Sequence, residues 1–190
     1  MKATDGGTDV DEREEVREVY AASASRLMAQ VYAMTGDFAE AQDVVQEAFV
    51  RALARPGQLR RVDNPEAWLR TVALNLARSR YRRRAVFDRL VRTGRLDRSA
   101  AHEPPLSPDH VALVRALQRL PATVREVLVL HHIADLPVKE VAGLTGCSVE
   151  AVKTRLARGR RALAVALDDE LPPDRAGKVI LATNKGSICA

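Results

Sequence analysis

Apolar residues recur every three or four positions along most of this chain, and this periodicity constrains the fold more than any other feature of the sequence. It is clearest in one segment, whose stripe comprises Phe38, Ala41, Val44, Val45, Ala48, Phe49 and Ala52. The sequence contains no strand-like alternation, internal repeat or glycine-rich phosphate loop. An all-α protein is therefore expected, and 190 residues, 46% of them hydrophobic, suffice for one compact domain or two small ones.

Glycine, proline and capping residues divide the first half of this pattern into helices. The pair Gly36-Asp37 predicts the end of a helix that starts near Glu12 and the N-cap of the next helix. The sequence RPGQLRRVDNP then breaks the periodicity, and Asn64 before Pro65 predicts the N-cap of a third helix. The buried stripe of this third helix is expected to comprise Trp68, Leu69, Val72, Ala73 and Leu76.

The second half predicts a block of shorter helices after a stretch without periodicity. TGRLDRSAAHEPPLS gains glycine, proline and serine and predicts a flexible linker, which Ser107-Pro108 ends by capping a new helix. Helices are expected at 109–119, 121–132, 137–145 and 149–167. The expected architecture is two small helical domains on a tether: a disordered N-terminus (1–10), a first domain (11–92), the linker (93–107), a second domain (108–170) and a flexible tail (171–190).

Charge is distributed unevenly around a net value of +5. Residues 1–50 carry 4 basic residues (lysine or arginine) and 11 acidic ones (aspartate or glutamate), and residues 51–100 carry 14 basic and 4 acidic. Residues 101–150 carry 4 basic and 6 acidic, and residues 151–190 carry 8 basic and 4 acidic. This alternation predicts two separate surfaces that face polyanions and one acidic face that is available to another partner. In the most basic stretch, RSRYRRRAV, five arginines occupy seven positions around Tyr81.

The cysteines and the apolar runs exclude several classes of protein. Cys147 and Cys189 have neither a CxxC spacing nor a ligand-spaced histidine, so no disulfide framework, zinc site or other cofactor is expected, and a reducing cytoplasm fits best. The N-terminus lacks the apolar region of a signal peptide, and no apolar run approaches the roughly 18 residues of a membrane span. The chain is therefore expected to be cytoplasmic and not inserted in a membrane.

The segment VKEVAGLTGCSVEAVKTRLARGRRAL predicts a helix-turn-helix. A short helix, a turn at 146–148 and a longer basic helix follow one another, with Ser148 as the expected N-cap. At 100° per residue the inward stripe of the second helix would be Val149, Val152, Leu156 and Leu163. The candidate DNA-contacting residues are Ser148, Glu150, Lys153, Thr154, Arg155, Arg158 and Arg161. The alternative is an ordinary helical hairpin with a solvated basic face.

Two parts of the sequence together resemble a known family. AEAQDVVQEAFVRAL followed by NPEAWLRTVALNLARSRYRRR resembles region 2 of bacterial sigma factors of the extracytoplasmic-function (ECF) group. ALQRLPATVREVLVLHHIADLPVKEVAGLTGCSVEAVKTRLARGRRAL resembles region 4 of the same group. The resemblance implies a subunit without catalysis of its own, which binds core RNA polymerase, directs it to promoters and helps to open the DNA.

The resemblance also implies roles for particular residues and partners. The β′ clamp helices of the polymerase would bind the face formed by Asp43, Gln46, Glu47 and Val50. Promoter DNA at the minus-ten element would be bound by Asp63, Asn64, Arg70, Arg78, Arg80, Tyr81, Arg82 and Arg83, and the second domain would contact the minus-thirty-five element and the β flap. Members of the group are commonly held inactive by an anti-sigma factor between the domains. Exposed rings and cations suit unstacked bases of a melted strand, although Trp68 and Tyr81 could instead be packing residues.

Two other functions remain open at this point. A regulator that binds duplex operator DNA without polymerase would need only the helix-turn-helix. A metal-dependent nuclease would use Asp43 and Glu47, but the sequence offers no further acid or histidine on their face. The acidic face could also do no more than keep its helix soluble.

Overall fold

The computed structural model describes residues 6–59, 61–91 and 107–170, and every regular element in these ranges is helical. The α-helices are α1 (Gly6–Thr35), α2 (Phe38–Leu53), α3 (Pro56–Leu59), α4 (Pro65–Val91), α5 (Pro108–Gln118), α6 (Ala122–Leu128), α7 (Val138–Thr145) and α8 (Val149–Glu170). The predicted all-α class is confirmed. Apart from Ser107, the predicted linker lies outside the described residues, and so does the predicted C-terminal tail.

The chain divides into two compact units. Among the described residues, the first unit comprises 6–31 and 39–91 without residue 60, and the second comprises Tyr32–Phe38 and 107–170. None of the described helices combines the length and the apolar composition that a membrane span requires.

The core of the first unit follows the predicted apolar stripes. In α2, every residue of the stripe is buried except Phe38, which is partly exposed. The ring of Tyr20 in α1 packs edge-on against Phe49, with 4.8 Å between ring centroids. In α4, Leu69, Ala73 and Leu76 are buried as predicted, whereas Trp68 and Val72 are only half-buried.

Local signals placed the helix boundaries well. Gly36 ends α1 with a φ of +70°, a conformation that glycine adopts without steric cost. The Oδ1 atom of Asn64 accepts a hydrogen bond of 2.9 Å from the backbone N–H of Ala67, which confirms the predicted N-cap of α4. Two differences are that α1 starts at Gly6 rather than near Glu12, and that the predicted break contains the single-turn helix α3.

In the second unit, α8 packs against α5, α6 and α7. The most deeply buried side chains include Leu113, Leu128 and Leu167. Gly159 of α8 lies against Val124 and Leu128, so α6 and α8 approach each other where α8 has no side chain. The helix predicted at 121–132 is two elements, because α6 widens after Leu128 into a π-helical turn at Val129–Ile133.

Candidate nucleic-acid and partner interfaces

The joint between α7 and α8 has the geometry of a helix-turn-helix. Gly146 follows α7 with φ 67° and ψ 27°, and its backbone N–H bonds to the carbonyl oxygen of Ala142. Two residues later, the Oγ atom of Ser148 accepts a hydrogen bond of 3.2 Å from the N–H of Ala151. The predicted cap of α8 is therefore confirmed, and this cap sets the direction in which the basic helix leaves the turn.

One side of α8 is buried as predicted, with one exception. Val152, Leu156 and Leu163 are covered by the rest of the unit. Val149 is 36% exposed, so its predicted inward position is wrong. It is the first residue of α8 and precedes the turn of helix that the neighbouring elements cover.

The opposite side of α8 is exposed and polar, and we call it the groove face. It comprises Ser148, Glu150, Lys153, Thr154, Arg158 and Arg161, all of them exposed, together with the half-buried Arg155.

Ion pairs and hydrogen bonds divide the groove face into engaged and free side chains. The Nζ atom of Lys153 is 2.9 Å from a carboxylate oxygen of Glu150, and Arg155 donates a long hydrogen bond, 3.5 Å, to Sγ of Cys147. Arg158 and Arg161 form no ion pair with any residue that the structure describes. Toward the described ranges, these two guanidinium groups therefore keep their donors available for an external acceptor.

In the first unit, the predicted polymerase-binding residues of α2 form what we call the docking face: Asp43, Gln46, Glu47 and Val50. Asp43, Gln46 and Val50 are exposed, as their position opposite the apolar stripe predicted. Glu47 is half-buried, because Arg51 and Arg80 hold its two carboxylate oxygens at 2.7 and 2.9 Å. The hydrogen bond from Arg80 contributes most to holding the pKa of Glu47 below its usual value.

The basic stretch of α4, residues 78–84, is the arginine segment, and its members differ in exposure. Tyr81 is 55% exposed and Arg83 is exposed, while Arg78 is half-buried and donates to Oδ1 of Asn75 at 3.3 Å. Arg80 is half-buried against the docking face. Arg82 lies in α4, but its side chain is outside the described part of the structure.

Arg70, expected to contact promoter DNA at the minus-ten element, is not an exposed cation, since only 8% of the residue is accessible. Its Nε atom is buried and has no hydrogen-bond partner among the described residues. One turn earlier, Glu66 is held by Arg26 of α1, so α1 covers the side of α4 that the helical wheel left open. A single buried stripe was expected for α4, but two neighbouring helices contact it.

The turn before α4 presents two polar side chains to solvent. Asp63 and Asn64 are both exposed, and Asn64 still uses its Oδ1 atom to cap α4. Toward the residues that the structure describes, its amide nitrogen keeps its donors available. Asp63 and Asn64 immediately precede α4, and Tyr81 and Arg83 lie within it.

The helical wheel missed two exposed apolar residues next to the docking face. Leu53 is 47% exposed and lies three positions after Val50, so both occupy one side of α2. Tyr20 is 49% exposed, and its ring contacts Phe49, the residue before Val50. Leu53 could have been found from its spacing alone, whereas Tyr20 is brought there by the packing of α1 on α2.

No group of histidine, cysteine and acidic residues in the described ranges could hold a metal ion. The adjacent rings of His131 and His132 contact each other in the π-helical turn. Burial lowers the pKa of His132 to about 4, with smaller contributions from His131 and Arg160. The Nε2 atom of His132 is buried and has no hydrogen-bond partner in the part of the chain that the structure describes, so a neutral ring is favoured there.

Comparison with known proteins identifies the family. Residues 19–86 match the family Sigma-70 region 2, and residues 110–163 match the family Sigma-70, region 4. The ECF RNA polymerase sigma factor EcfG of Rhodopseudomonas palustris is 30% identical over 181 residues, which are 89% of this chain and 96% of the relative. This chain belongs to the ECF sigma factors. It is a promoter-specificity subunit of RNA polymerase that acts in transcription initiation, and sigma factors are transcription regulators rather than enzymes.

Further relatives and solved structures agree with this assignment. The sigma factor SigL of Mycobacterium tuberculosis is 31% identical, over 81% of this chain and 89% of the relative. The structure of the sigma factor RpoE bound to the anti-sigma factor NepR from Bartonella quintana matches with a TM-score of 0.67 and 26% identity, covering 83% of this chain and 97% of that one. The structure of CnrH with the cytosolic domain of CnrY matches with a TM-score of 0.56 and 27% identity, covering 84% and 91% of the two chains.

Proposed function

We propose that this sigma factor distributes promoter recognition between its two units and attaches to the polymerase through α2. The groove face of α8 enters the major groove at the minus-thirty-five element. The arginine segment and the turn before α4 hold the melted minus-ten strand. The docking face binds the β′ clamp helices of core polymerase, and the second unit also contacts the β flap.

The observation that carries this proposal is that Arg158 and Arg161, on an exposed face of a capped helix-turn-helix, form no ion pair with the described residues. An α-helix fits the major groove of B-DNA, and arginine pairs bidentately with guanine there. Glu150 and Thr154 lie on the same face, nearer the N-terminus of α8, where base edges are usually read. Lys153 and Arg160 suit phosphate contacts, which position the protein without choosing a sequence.

The features of α4 favour a single strand over a duplex. A melted strand is held by cations beside exposed rings on which bases stack, and Tyr81 with Arg83 supplies both. Asp63 and Asn64 carry acceptors and donors that can recognise the edge of an extruded base. Trp68 is half-buried, so it does not offer a fully free ring.

The docking face combines carboxylates with exposed apolar groups. Val50 and Leu53 are exposed apolar residues on one side of α2, Tyr20 is an exposed ring in contact with Phe49, and the side chain of Asp43 is 69% exposed. Interfaces commonly pair an apolar centre with a charged rim, and the acidic side chains here suit a basic partner and not DNA.

The proposal also covers the regulation and the location of the protein. The structures of RpoE and CnrH contain an anti-sigma factor and the cytosolic domain of CnrY, respectively. By analogy, an anti-sigma factor holds this protein inactive until a signal releases it. The cytoplasm is the proposed location, because the polymerase and the promoters are there.

Run-off transcription with purified core polymerase tests the DNA-reading part. Arg158→Ala should weaken recognition of the minus-thirty-five element by about 1–3 kcal/mol and relax base preference at one position. Arg160→Ala is the matched control, because losing a phosphate contact should weaken binding evenly across sequences and reduce the log–log salt slope by about 0.9. The role of Arg158 is refuted if its variant transcribes like the wild type. Specific binding of closed duplex by the isolated protein would instead favour the operator-binding regulator.

Co-purification with core polymerase tests the docking face. Asp43→Arg should weaken core binding roughly tenfold, because it places like charges together at a basic partner. The fold should be unchanged, since the Asp43 side chain is largely exposed. Glu18→Arg on an exposed position of α1 reverses the same charge away from the docking face, and it should bind core polymerase like the wild type.

A further inference from the structure

Arg80 belongs to two surfaces at once. Its position in the sequence places it in the arginine segment of α4, but its guanidinium group contacts α2. The Nη2 atom is 2.9 Å from Oε2 of Glu47, and the Nη1 atom is 3.8 Å from Oδ2 of Asp43. The other oxygen of Glu47 is paired with Arg51 at 2.7 Å. The docking face and the arginine segment therefore share one ion-pair cluster.

The cluster is accessible enough to exchange partners. The side chains of Arg80 and Glu47 are 27% and 35% exposed, and that of Asp43 is 69% exposed. Ion pairs in contact with water are weak, and breaking one typically changes an equilibrium by less than about fivefold. An external cation near Glu47, or an external phosphate near Arg80, can compete with the internal partner without unfolding either helix.

We propose that the carboxylates of the docking face withhold Arg80 from DNA in the free protein and release it when the polymerase docks. This inference rests on the proposed function of the two surfaces. A partner cation that pairs with Glu47 and Asp43 displaces Arg80, and the freed guanidinium group then binds a phosphate of the melted strand. While the carboxylates are uncovered, they also repel an approaching phosphate. Polymerase binding and the DNA contact of Arg80 therefore strengthen each other, as linkage requires.

The free protein provides the first test, a double-mutant cycle without polymerase. The full chain is titrated into a fluorescent oligothymidylate at low salt, and the dissociation constant is measured by anisotropy for the wild type, Glu47→Gln, Arg80→Gln and the double variant. Glu47→Gln should tighten binding about two- to fivefold in the wild-type background and clearly less in the Arg80→Gln background, where only its direct repulsion of phosphate is removed. Glu18→Gln, which removes the same charge from α1, should shift both backgrounds equally.

The cycle has clear contrary outcomes. Equal tightening by Glu47→Gln in both backgrounds means that the carboxylate acts only through its long-range charge, and the inference fails. The inference is also overturned if Glu47→Gln does not tighten oligothymidylate binding, or if neither Glu47→Gln nor Asp43→Asn binds the oligothymidylate measurably. Thermal melts by circular dichroism verify that each variant folds. Asp43→Asn changes a more exposed member of the cluster and replaces Glu47→Gln if that variant does not fold.

The holoenzyme provides the second test, with a promoter probe that supports run-off transcription by the wild type. At saturating core polymerase, Arg80→Gln should weaken promoter binding two- to fivefold and reduce the log–log salt slope by about 0.7, the value for one contact to a single strand. In the free protein the same substitution should change oligothymidylate binding little. An equal effect in both states overturns the release step. If the wild-type holoenzyme opens no promoter, the proposed function fails, while the polymerase-free cycle still decides whether the carboxylates withhold Arg80.

Discussion

Gly159 occupies a point in α8 where no side chain fits, and replacing it with alanine should loosen the second unit. A Cβ atom at this position would lie 2.7 Å from Cγ1 of Val124 and 2.9 Å from Cδ1 of Leu128. Carbon atoms prefer separations of about 3.5–4.0 Å, so α6 would have to move away by several tenths of an ångström or more. Leu128 is almost fully buried, which leaves its side chain little room to rotate aside.

Two opposing contributions determine the size of the effect. Overpacking a core by one methyl group costs about 1–3 kcal/mol. Alanine is also a better helix former than glycine by about 1 kcal/mol, and this gain offsets part of the cost. Gly143 in α7 isolates the second contribution, because it is helical and exposed and a Cβ atom there would meet nothing within 4 Å. The free energy of unfolding of Gly159→Ala should therefore be lower than that of Gly143→Ala by about 1–3 kcal/mol.

Urea denaturation of the full chain, followed by circular dichroism at the helix band, measures this difference, since both glycines lie in the second unit. Thermal melts should rank the two variants in the same order, with a difference in melting temperature of roughly 4–8 °C for each kcal/mol in a unit of this size. The close contact of α6 with α8 would be refuted if Gly159→Ala were as stable as Gly143→Ala. A loss of stability in Gly143→Ala itself would show that propensity alone does not describe the control.

Two further predictions concern pH. The folded-state pKa of His132 is about 4, against an ordinary 6.5, so the unfolded chain takes up a proton first as the pH falls. The free energy of unfolding of the second unit should therefore drop by roughly 1–3 kcal/mol between pH 6.5 and pH 4. Urea titrations of His132→Leu should show a smaller drop, and an unchanged pH dependence would contradict this. The pKa of Glu66 is held below 4.5, chiefly by its hydrogen bond from Arg26. Its contribution to the stability of the fold is therefore complete above pH 4.5 and is lost as the pH falls through the lowered pKa. The melting temperature of Glu66→Gln should therefore lie below that of the wild type at pH 7 and converge with it in acid, and a constant gap would refute the role of this ion pair.

The helices, their caps and the family could be predicted because their signals are local. A glycine at φ +67°, or a serine whose Oγ accepts a hydrogen bond three residues on, acts within one turn of chain and is visible in the residues themselves. The apolar stripe of α2 was likewise correct because one face of that helix is buried. The widening of α6 at Val129 had no such local signal, and it was predicted as continuous α-helix.

The exposure and the partners of charged side chains required the tertiary structure. Arg70 and Arg80 occupy positions on α4 that a helical wheel cannot distinguish from free cations. The first is buried in the folded unit, and the docking face of α2 pairs with the second. Tyr20 enters the docking region by the same route, from a helix distant in sequence.

The sequence by itself therefore determined that the protein is all-helical, where most of its helices begin and end, and to which family it belongs. These features follow from hydrogen-bonded turns and apolar periodicity, which act over a few residues. Only the tertiary structure decided which arginines of the described ranges are held in ion pairs, as Arg80 is. An ion pair depends on the distance between helices, and that distance is set by the packing of many residues that are far apart along the chain.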